Sequence, residues 1–417
     1  MLGNFVYSQT QNIENFLFTL PDVIFKKIEP PDSFEEAYEL KIKQALDHFD
    51  SSKGFFYQKA FLSHKSFDRP TVINTSGYSK RKNNILEITD LLNANQIAVE
   101  HRFFGESLPD SLDYTYLNLK QATADLHHIN QLFNNIYTGK WVSSGISKGG
   151  VTTIFYRYFY PEDVDVGVAY VAPLNKERED KRIYTFLDTV GTDECREKIK
   201  SFQSRLLENR DEVLSFLKFY NMGAGLQFTY LTFEQAFEYA VMEYPFSFWQ
   251  WGDSCLNIPG NETSLEQAVE YFVSTKPLSL FADHDIKYFG PHYYQSATEM
   301  GYYGYETYKF KDLIKSLPTD TNPQATFIPN KMDVSFDGSL LKDVHEWIES
   351  KGNKFIYIYG SKDTWSACAL QPSDNVDSKW FFLKDKDHGA ARIANMSVEE
   401  KQKLVTTLER CLSIKID

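Results

Sequence analysis

The 417-residue sequence has few cysteines and no long apolar run. Its four cysteines form no CxxC pair and no metal-type spacing, so free buried thiols and a single disulfide remain equally open. The longest apolar runs fall far short of the ~18 residues that a membrane-spanning helix needs, and no charged-then-apolar leader opens the chain. We therefore expect no membrane-spanning segment, no metal and no cofactor.

Basic residues are also in short supply. The chain has 44 Lys and Arg against 57 Asp and Glu, a formal net charge of -13. A nucleic acid or an anionic membrane attracts clustered cations, and the one short basic run, at 80–82, fits a solvated loop. The acidic balance argues against both partners. With 42% hydrophobic and 16% aromatic residues, the composition is that of a globular protein with a large core.

Short β-branched and aromatic runs alternate with helical patterns in two parts of the chain. The predicted strands cover 55–62, 71–74, 96–100, 141–143, 164–171, 354–359 and 380–383, and the predicted helices cover 85–94, 117–137 and 398–412. This alternation indicates an α/β fold with a mostly parallel sheet. Between the two parts, residues 175–345 show helical periodicity, many aromatics and no clear strand. We interpret this segment as an inserted helical cap.

The sharpest motif is GISKGG at 145–150, between a predicted strand and a helix over 151–160. Gly-x-Ser-x-Gly in this context is the nucleophile elbow of α/β-hydrolases. Its serine, Ser147, sits on a strained turn where neighbouring side chains would collide. The N–H groups of Lys148 and of Tyr78, in the loop after the 71–74 strand, are the candidate oxyanion donors.

Together with the alternation of strands and helices, this motif predicts how the chain is divided into domains. Residues 35–174 and 346–417 form one discontinuous α/β-hydrolase domain, 175–345 form the cap, and 1–34 form an N-terminal extension. The alternative is a Gly-rich turn with an incidental serine.

A nucleophilic serine needs a carboxylate and then a histidine further along the chain. Asp363 and His388 each follow a predicted strand, where sites in open α/β sheets form. His388 is the only one of nine histidines downstream of Asp363. Asp385 and Asp387 are alternative acids, but their closeness in sequence to His388 makes the geometry difficult.

Several segments together resemble the secreted prolyl tripeptidyl aminopeptidase family of serine peptidases, a relative of prolylcarboxypeptidase and dipeptidyl-peptidase II. They are 47–49 (DHF), 100–107 (EHRFFGES), 145–150 (GISKGG), 295–303 (QSATEMGYY) and 387–392 (DHGAAR). The resemblance spans about 40–396. Relatives of the second group typically carry Tyr where this chain has Lys148, which favours the first group.

The resemblance implies a serine exopeptidase that releases short N-terminal peptides, with tripeptides expected, after proline. It implies a secreted or periplasmic protein, and its triad falls on Ser147, Asp363 and His388. The substrate is then a peptide with a free amino terminus, whose ammonium group needs a buried carboxylate.

Glu299 is the leading candidate for that carboxylate, with Gln295 as a helper. Glu100 is a weaker candidate, because the alternative is a structural ion pair with Arg102. A group of aromatics could line a proline pocket or simply fill the cap core: Trp249, Trp251, Tyr302, Tyr303 and Tyr305.

Two other functions fit the fold. The α/β-hydrolase architecture also hosts carboxylesterases and lipases, and some members are non-catalytic binding proteins. The intact set of candidate triad residues speaks against the last of these, and Glu299 speaks for peptides over esters.

Overall fold

The computed structural model describes residues 12–275 and 277–416. Its strands are β1 (Val23–Ile28), β2 (Glu36–Ala45), β3 (Phe55–His64), β4 (Thr71–Thr75), β5 (Asn95–Val99), β6 (Trp141–Ile146), β7 (Val166–Tyr170), β8 (Phe355–Gly360) and β9 (Lys379–Leu383). They form one sheet in the order β1-β2-β3-β5-β4-β6-β7-β8-β9. The pairs from β1 through β3 to β5 are antiparallel and those from β5 to β9 parallel. The prediction of a mostly parallel sheet is confirmed.

The helices lie between and beyond these strands. They are α1 (Ile13–Thr19), α2 (Glu87–Leu91), α3 (Leu119–Phe133), α4 (Lys148–Phe159), α5 (Arg182–Thr189), α6 (Asp193–Glu208), α7 (Arg210–Ala224), α8 (Phe233–Trp251), α9 (Leu265–Ser274), α10 (Asp283–Gln295), α11 (Ser339–Lys351) and α12 (Val398–Leu412). Over the described ranges, no helix is long and apolar enough to cross a lipid bilayer.

Alternation along the strands places helices on both faces of the sheet. Ile358 packs with Leu404 and Leu408 of α12 on one face. The neighbouring Tyr357 packs with Val344 of α11 on the other. A parallel sheet covered on both faces is the usual consequence of strand–helix–strand crossovers.

Sequence signals located most elements but not all of their ends. The helix over 398–412 has the predicted bounds, because Ser397 and Glu400 form a capping box at its start. The helix predicted over 85–94 is only Glu87–Leu91, and Asn93 behind it has a φ of 46°. Strand β2 was not predicted, although its alternating buried residues carried the signal.

The first described residues of the chain contribute to the sheet. Strand β1 pairs antiparallel with β2 over its whole length, and α1 places Ile13 and Leu17 in the core beside β2. Both elements lie in the segment predicted as an N-terminal extension. Residues 1–11, the first part of that extension, lie outside the described residues.

Helices α5 to α10 build the segment 175–345, which we call the cap. Within its described residues the only strand-like pairings are two isolated bridges, Glu179 with Tyr302 and Gly304 with Gln324. The Cys195–Cys255 disulfide ties α6 to the chain that follows α8, and Cys368 and Cys411 are free and buried. The boundaries of the cap stay a prediction.

Helix α8 fastens the cap to the sheet edge where β8 and β9 end. The Thr364 hydroxyl donates to the Phe246 carbonyl at 2.8 Å, and the His388 N–H donates to the Gln250 carbonyl at 3.1 Å. Two loops of the sheet are therefore held against one cap helix.

A buried ion pair joins the end of β5 to α3. The Arg102 guanidinium donates to both Asp125 oxygens at 2.7 Å, and both side chains are fully buried. It also donates to the carbonyls of Leu46 and Tyr116. Although burial alone would raise it, the Arg102 charge holds the pKa of Asp125 below its ordinary value.

We predict that Asp125→Asn destabilises the protein strongly. The substitution leaves the Arg102 cation buried without a counter-charge, which typically costs about 3–5 kcal/mol. The free energy of unfolding in urea measures the loss. The control is Glu399→Gln, which removes an exposed ion pair with Lys403 and should cause no measurable change. Equal stability of the two variants would contradict the prediction.

Candidate active site

Ser147 lies on a strained turn between β6 and α4. Its φ of 58° and ψ of -126° are rarely adopted by a residue with a side chain. Its N–H donates to the Tyr170 carbonyl at 2.8 Å. Side chains on the flanking glycines would collide with backbone, at Gly145 with Gly149 and at Gly149 with Thr75. The structure therefore gives a physical reason for both glycines of the Gly-x-Ser-x-Gly motif.

The loop after β4 lies directly against this turn. A Cβ on Gly77 would approach the Lys148 Cβ to 2.6 Å and the Gly149 nitrogen to 2.8 Å. The N–H groups of Tyr78 and Lys148 donate to no residue within the described ranges. The Lys148 N–H lies at the start of α4, where helix N–H groups are unpaired, and the Tyr78 N–H belongs to the loop that packs against this turn.

Asp363 and His388 meet at the ends of β8 and β9. The His388 Nδ1 lies 2.9 Å from the Asp363 Oδ1. The carboxylate is fully buried and accepts from the Trp365 N–H at 3.1 Å and from the Ser366 hydroxyl at 2.7 Å. These bonds orient the carboxylate, and the carboxylate orients the imidazole.

The alternative acids have other partners. Asp385 pairs with Lys362 at 3.1 Å, and Asp387 accepts from the N–H groups of Gly389 and Ala390. Neither carboxylate bonds to the His388 ring. Ser147 Oγ donates to no described residue, which is common at nucleophiles before substrate binds.

A cavity of about 200 Å³ lies between the elbow and the cap. Ser147 and Lys148 border it from the sheet side, and Trp251, Tyr302, Tyr303 and Tyr305 border it from the cap. Further aromatic lining comes from Phe281, Phe289, Tyr293, Phe327 and Trp365. Trp249 packs in the cap core and does not line this cavity.

Glu243 lines the same cavity, and sequence reasoning missed it. It lies on α8, is only 3% exposed, and accepts from the hydroxyls of Tyr303 and Tyr305 at 2.8 and 2.7 Å. No Lys, Arg or His pairs with it among residues 12–275 and 277–416. Burial raises the pKa of Glu243 to about 7. The sequence pattern does not mark Glu243 as a site residue, because it lies among apolar residues of a long helix and belongs to no motif.

Glu299 and Gln295 are hydrogen-bonded to each other. The Gln295 amide donates to the Glu299 carboxylate at 3.3 Å, and the Leu119 N–H donates to it at 2.8 Å. Burial raises the pKa of Glu299 to about 7. Neither residue lines the cavity, although the next residues after Glu299, Met300 and Gly301, do.

Glu100 is buried elsewhere, beneath the loop that follows β5. Its carboxylate accepts from the N–H groups of Lys80, Glu106 and Ser107 at 2.7 to 2.9 Å. It does not line the cavity, and Arg102 pairs with Asp125 instead. Glu100 therefore orders the loop after β5 by accepting hydrogen bonds from its N–H groups.

A serine at a nucleophile elbow, an Asp–His pair in the same chain order and a mostly parallel sheet define a serine hydrolase of the α/β-hydrolase class. The chain belongs to the PS-10 peptidase S37 family, which it matches over residues 8–411. It is therefore a serine peptidase, and the resemblance found in the sequence is confirmed.

Two characterised relatives are similar to the chain. Prolyl tri/tetrapeptidyl aminopeptidase of Streptomyces mobaraensis is 28% identical over 400 residues, which cover 94% of this chain and 83% of the relative. Lysosomal Pro-X carboxypeptidase of Homo sapiens is 23% identical over 175 residues, covering 37% of this chain and 35% of the relative.

Among solved structures, a proline iminopeptidase of Mycobacterium smegmatis matches with a TM-score of 0.40 at 11% identity. The match covers 85% of this chain and 96% of that one. At this TM-score the similarity bears on neither the site nor the substrate.

We predict that Glu243→Gln changes how stability depends on pH. Because the folded-state pKa of Glu243 is raised, the native protein holds a proton that the unfolded chain releases, so the wild type loses stability as pH rises toward about 7. The variant has no such loss. Its free energy of unfolding relative to wild type should therefore be higher at pH 8 than at pH 5, by roughly 1–3 kcal/mol.

Urea unfolding at both pH values measures this difference. The exposed Glu346→Gln, on α11, serves as the control and should show the same difference from wild type at both values. A Glu243→Gln variant that behaves like this control would contradict the assignment of a protonated, buried carboxyl.

Proposed function

We propose that the protein is a serine aminopeptidase that releases short N-terminal peptides, tripeptides foremost, after proline. In this proposal Ser147 is the nucleophile, His388 is the general base and acid, and Asp363 orients the imidazole. The chain order of the three residues and the 2.9 Å contact between His388 and Asp363 support these roles.

The proposed reaction has two halves. His388 takes the Ser147 proton as the serine oxygen attacks the peptide carbonyl, and the N–H groups of Tyr78 and Lys148 stabilise the resulting oxyanion. His388 then gives the proton to the leaving amine, and an acyl-enzyme remains. Water, deprotonated by His388, releases the short peptide and restores Ser147.

The proposal that the enzyme is an exopeptidase rests on Glu243. It is a buried carboxylate that shares a cavity with Ser147 and pairs with no cation among the described residues. In the free protein burial raises the pKa of this carboxyl to about 7, because a buried charge without a partner is costly. The α-ammonium of a bound peptide would supply a partner and favour the ionised carboxylate. We therefore assign the amino terminus of the substrate to Glu243 rather than to Glu299, because Glu243 borders the cavity that Ser147 also borders and Glu299 does not.

The aromatic lining supports a preference for proline. The rings of Tyr302 and Trp365 are stacked, with an angle of 14° between their planes and 5.9 Å between their centres. Both residues border the cavity. Flat apolar walls suit the pyrrolidine ring, which offers no N–H to be satisfied. The names of both characterised relatives refer to proline.

We also propose that the protein acts outside the cytoplasm. The Cys195–Cys255 disulfide supports export, because disulfides persist mainly in oxidising compartments.

We predict that Ser147→Ala abolishes hydrolysis of an Ala-Ala-Pro anilide. Loss of a nucleophile typically lowers kcat by roughly 10⁶-fold, whereas the fold should persist because alanine fits the same turn. Anilide release and the circular dichroism spectrum measure the two effects. Ser350→Ala, at an exposed position, is the control. A Ser147→Ala variant that retains full activity would refute the proposed nucleophile.

We predict that Glu243→Gln selectively weakens the use of free amino termini. Losing a charge-assisted bond costs about 1.5–3 kcal/mol, or roughly 10- to 150-fold in kcat/KM. The measurement compares the Ala-Ala-Pro anilide with its N-acetylated form in both enzymes. Wild type should strongly prefer the free amine, and the variant should lose that preference.

Glu299→Gln is the matched control, since it removes the same charge outside the cavity lining. If Glu299→Gln rather than Glu243→Gln removed the preference, the amino terminus would belong to the residue first predicted. A wild-type enzyme that cleaves the acetylated peptide, or a long-chain nitrophenyl ester, better than the free peptide would contradict the aminopeptidase proposal.

A further inference from the structure

The side chain of Lys148 is buried beside the nucleophile, with 2% of the residue exposed. Its Nζ donates a hydrogen bond to the Gly77 carbonyl at 2.8 Å. The amine also lies 5.6 Å from the centre of the Tyr78 ring and 5.1 Å from that of Phe104. A long cationic side chain is thus folded back over the loop that follows β4.

The carbonyl that Lys148 bonds belongs to a peptide group already placed in the site. The Gly77 C=O and the Tyr78 N–H are the two ends of one planar amide. A donor on the oxygen draws electron density from the nitrogen, and so strengthens the hydrogen bond that the N–H can give. Chains of hydrogen bonds polarise one another in this way, and a charged donor has the larger effect.

We propose that Lys148 is a positioning residue whose Nζ holds and polarises the Gly77–Tyr78 peptide, so that the Tyr78 N–H stabilises the oxyanion formed at Ser147. The inference rests on the proposed function, because it requires Ser147 as nucleophile and Tyr78 as oxyanion donor. It adds a second contribution of Lys148, by its side chain, to that of its own backbone N–H.

The surroundings of Lys148 favour this bond over a purely structural ion pair. Three ionisable groups interact electrostatically with it: Glu299, His101 and His292. Glu299 makes no salt bridge with Lys148, and burial lowers the pKa of both histidines, that of His292 to about 3, which leaves them uncharged at neutral pH. The one hydrogen bond that the structure gives the Lys148 amine is to the Gly77 carbonyl.

The Lys148 amine can be positively charged when it donates to the Gly77 carbonyl. Burial lowers the pKa of Lys148 to about 7, and the Glu299 carboxylate opposes that change. Near and below pH 7 a large part of the protein therefore carries an ammonium at this position, the strongest donor a lysine offers.

The test compares Lys148→Met with wild type in three measurements: kcat, KM, and the inhibition constant of a tripeptide boronic acid ending in boroproline. Methionine keeps the length and suits the aromatic surroundings, but it cannot donate. The boronate forms a tetrahedral adduct on serine and so reports on the oxyanion donors. Lys342→Met, at an exposed position of α11, is the control.

We expect kcat to fall about 10- to 100-fold, somewhat less than for outright loss of an oxyanion donor. KM should stay within threefold of wild type, and the inhibition constant of the boronate should rise by the same factor by which kcat falls. A lysine with only a structural role would change stability without linking kcat to boronate affinity. Should Lys148→Met fail to fold, Lys148→Leu, which also cannot donate a hydrogen bond, takes its place in the same comparison.

Two results would overturn the inference: a kcat within twofold of wild type, or a fall in kcat with unchanged boronate affinity. Either can occur while Ser147→Ala is inactive, in which case the proposed function stands and only the part played by Lys148 is refuted. Full activity of Ser147→Ala would instead refute the proposed function itself.

Discussion

The close approach of two turns is the constraint on which the rest of the site depends. The turn after β6 and the loop after β4 touch backbone to backbone, and this contact is possible only because Gly77, Gly145 and Gly149 have no side chains. Ser147 adopts its strained conformation within this contact, and the loop that carries Tyr78 packs against the first residues of α4. The parallel pairing of β4 with β6 holds the two turns at the same edge of the sheet.

The other two residues of the proposed triad lie at the same edge of the sheet. Strands β8 and β9 end there, so Asp363 and His388 meet although they are 25 residues apart. Helix α8 of the cap accepts hydrogen bonds from both loops, through the carbonyls of Phe246 and Gln250. About one helical turn before Phe246, the same helix places Glu243 in the cavity. A single cap helix thus positions the loops of the Asp–His pair and supplies the carboxylate that we assign to the substrate's amino terminus.

Sequence reasoning was strongest where chemistry is local. The elbow is contiguous, and its glycines, its serine and the flanking strand and helix were all found from their spacing. Asp363 and His388 followed from strand ends and chain order. The carboxylate for the amino terminus was harder, because a glutamate in an apolar helix shows no spacing that distinguishes cavity from core. Glu299 and Glu243 both lie in the cap, and only the structure shows that Glu243 borders the cavity and Glu299 does not.

By itself, the sequence determined the fold class, the nucleophile elbow, the candidate triad and the family, since each depends on short-range patterns or on the order of motifs. Only the tertiary structure decided which buried carboxylate borders the cavity at Ser147, that Arg102 pairs with Asp125 rather than Glu100, and that Cys195 and Cys255 form the disulfide. It also decided where the Lys148 amine goes. The physical reason is that these pairings join residues distant in sequence, and packing alone determines which of them meet.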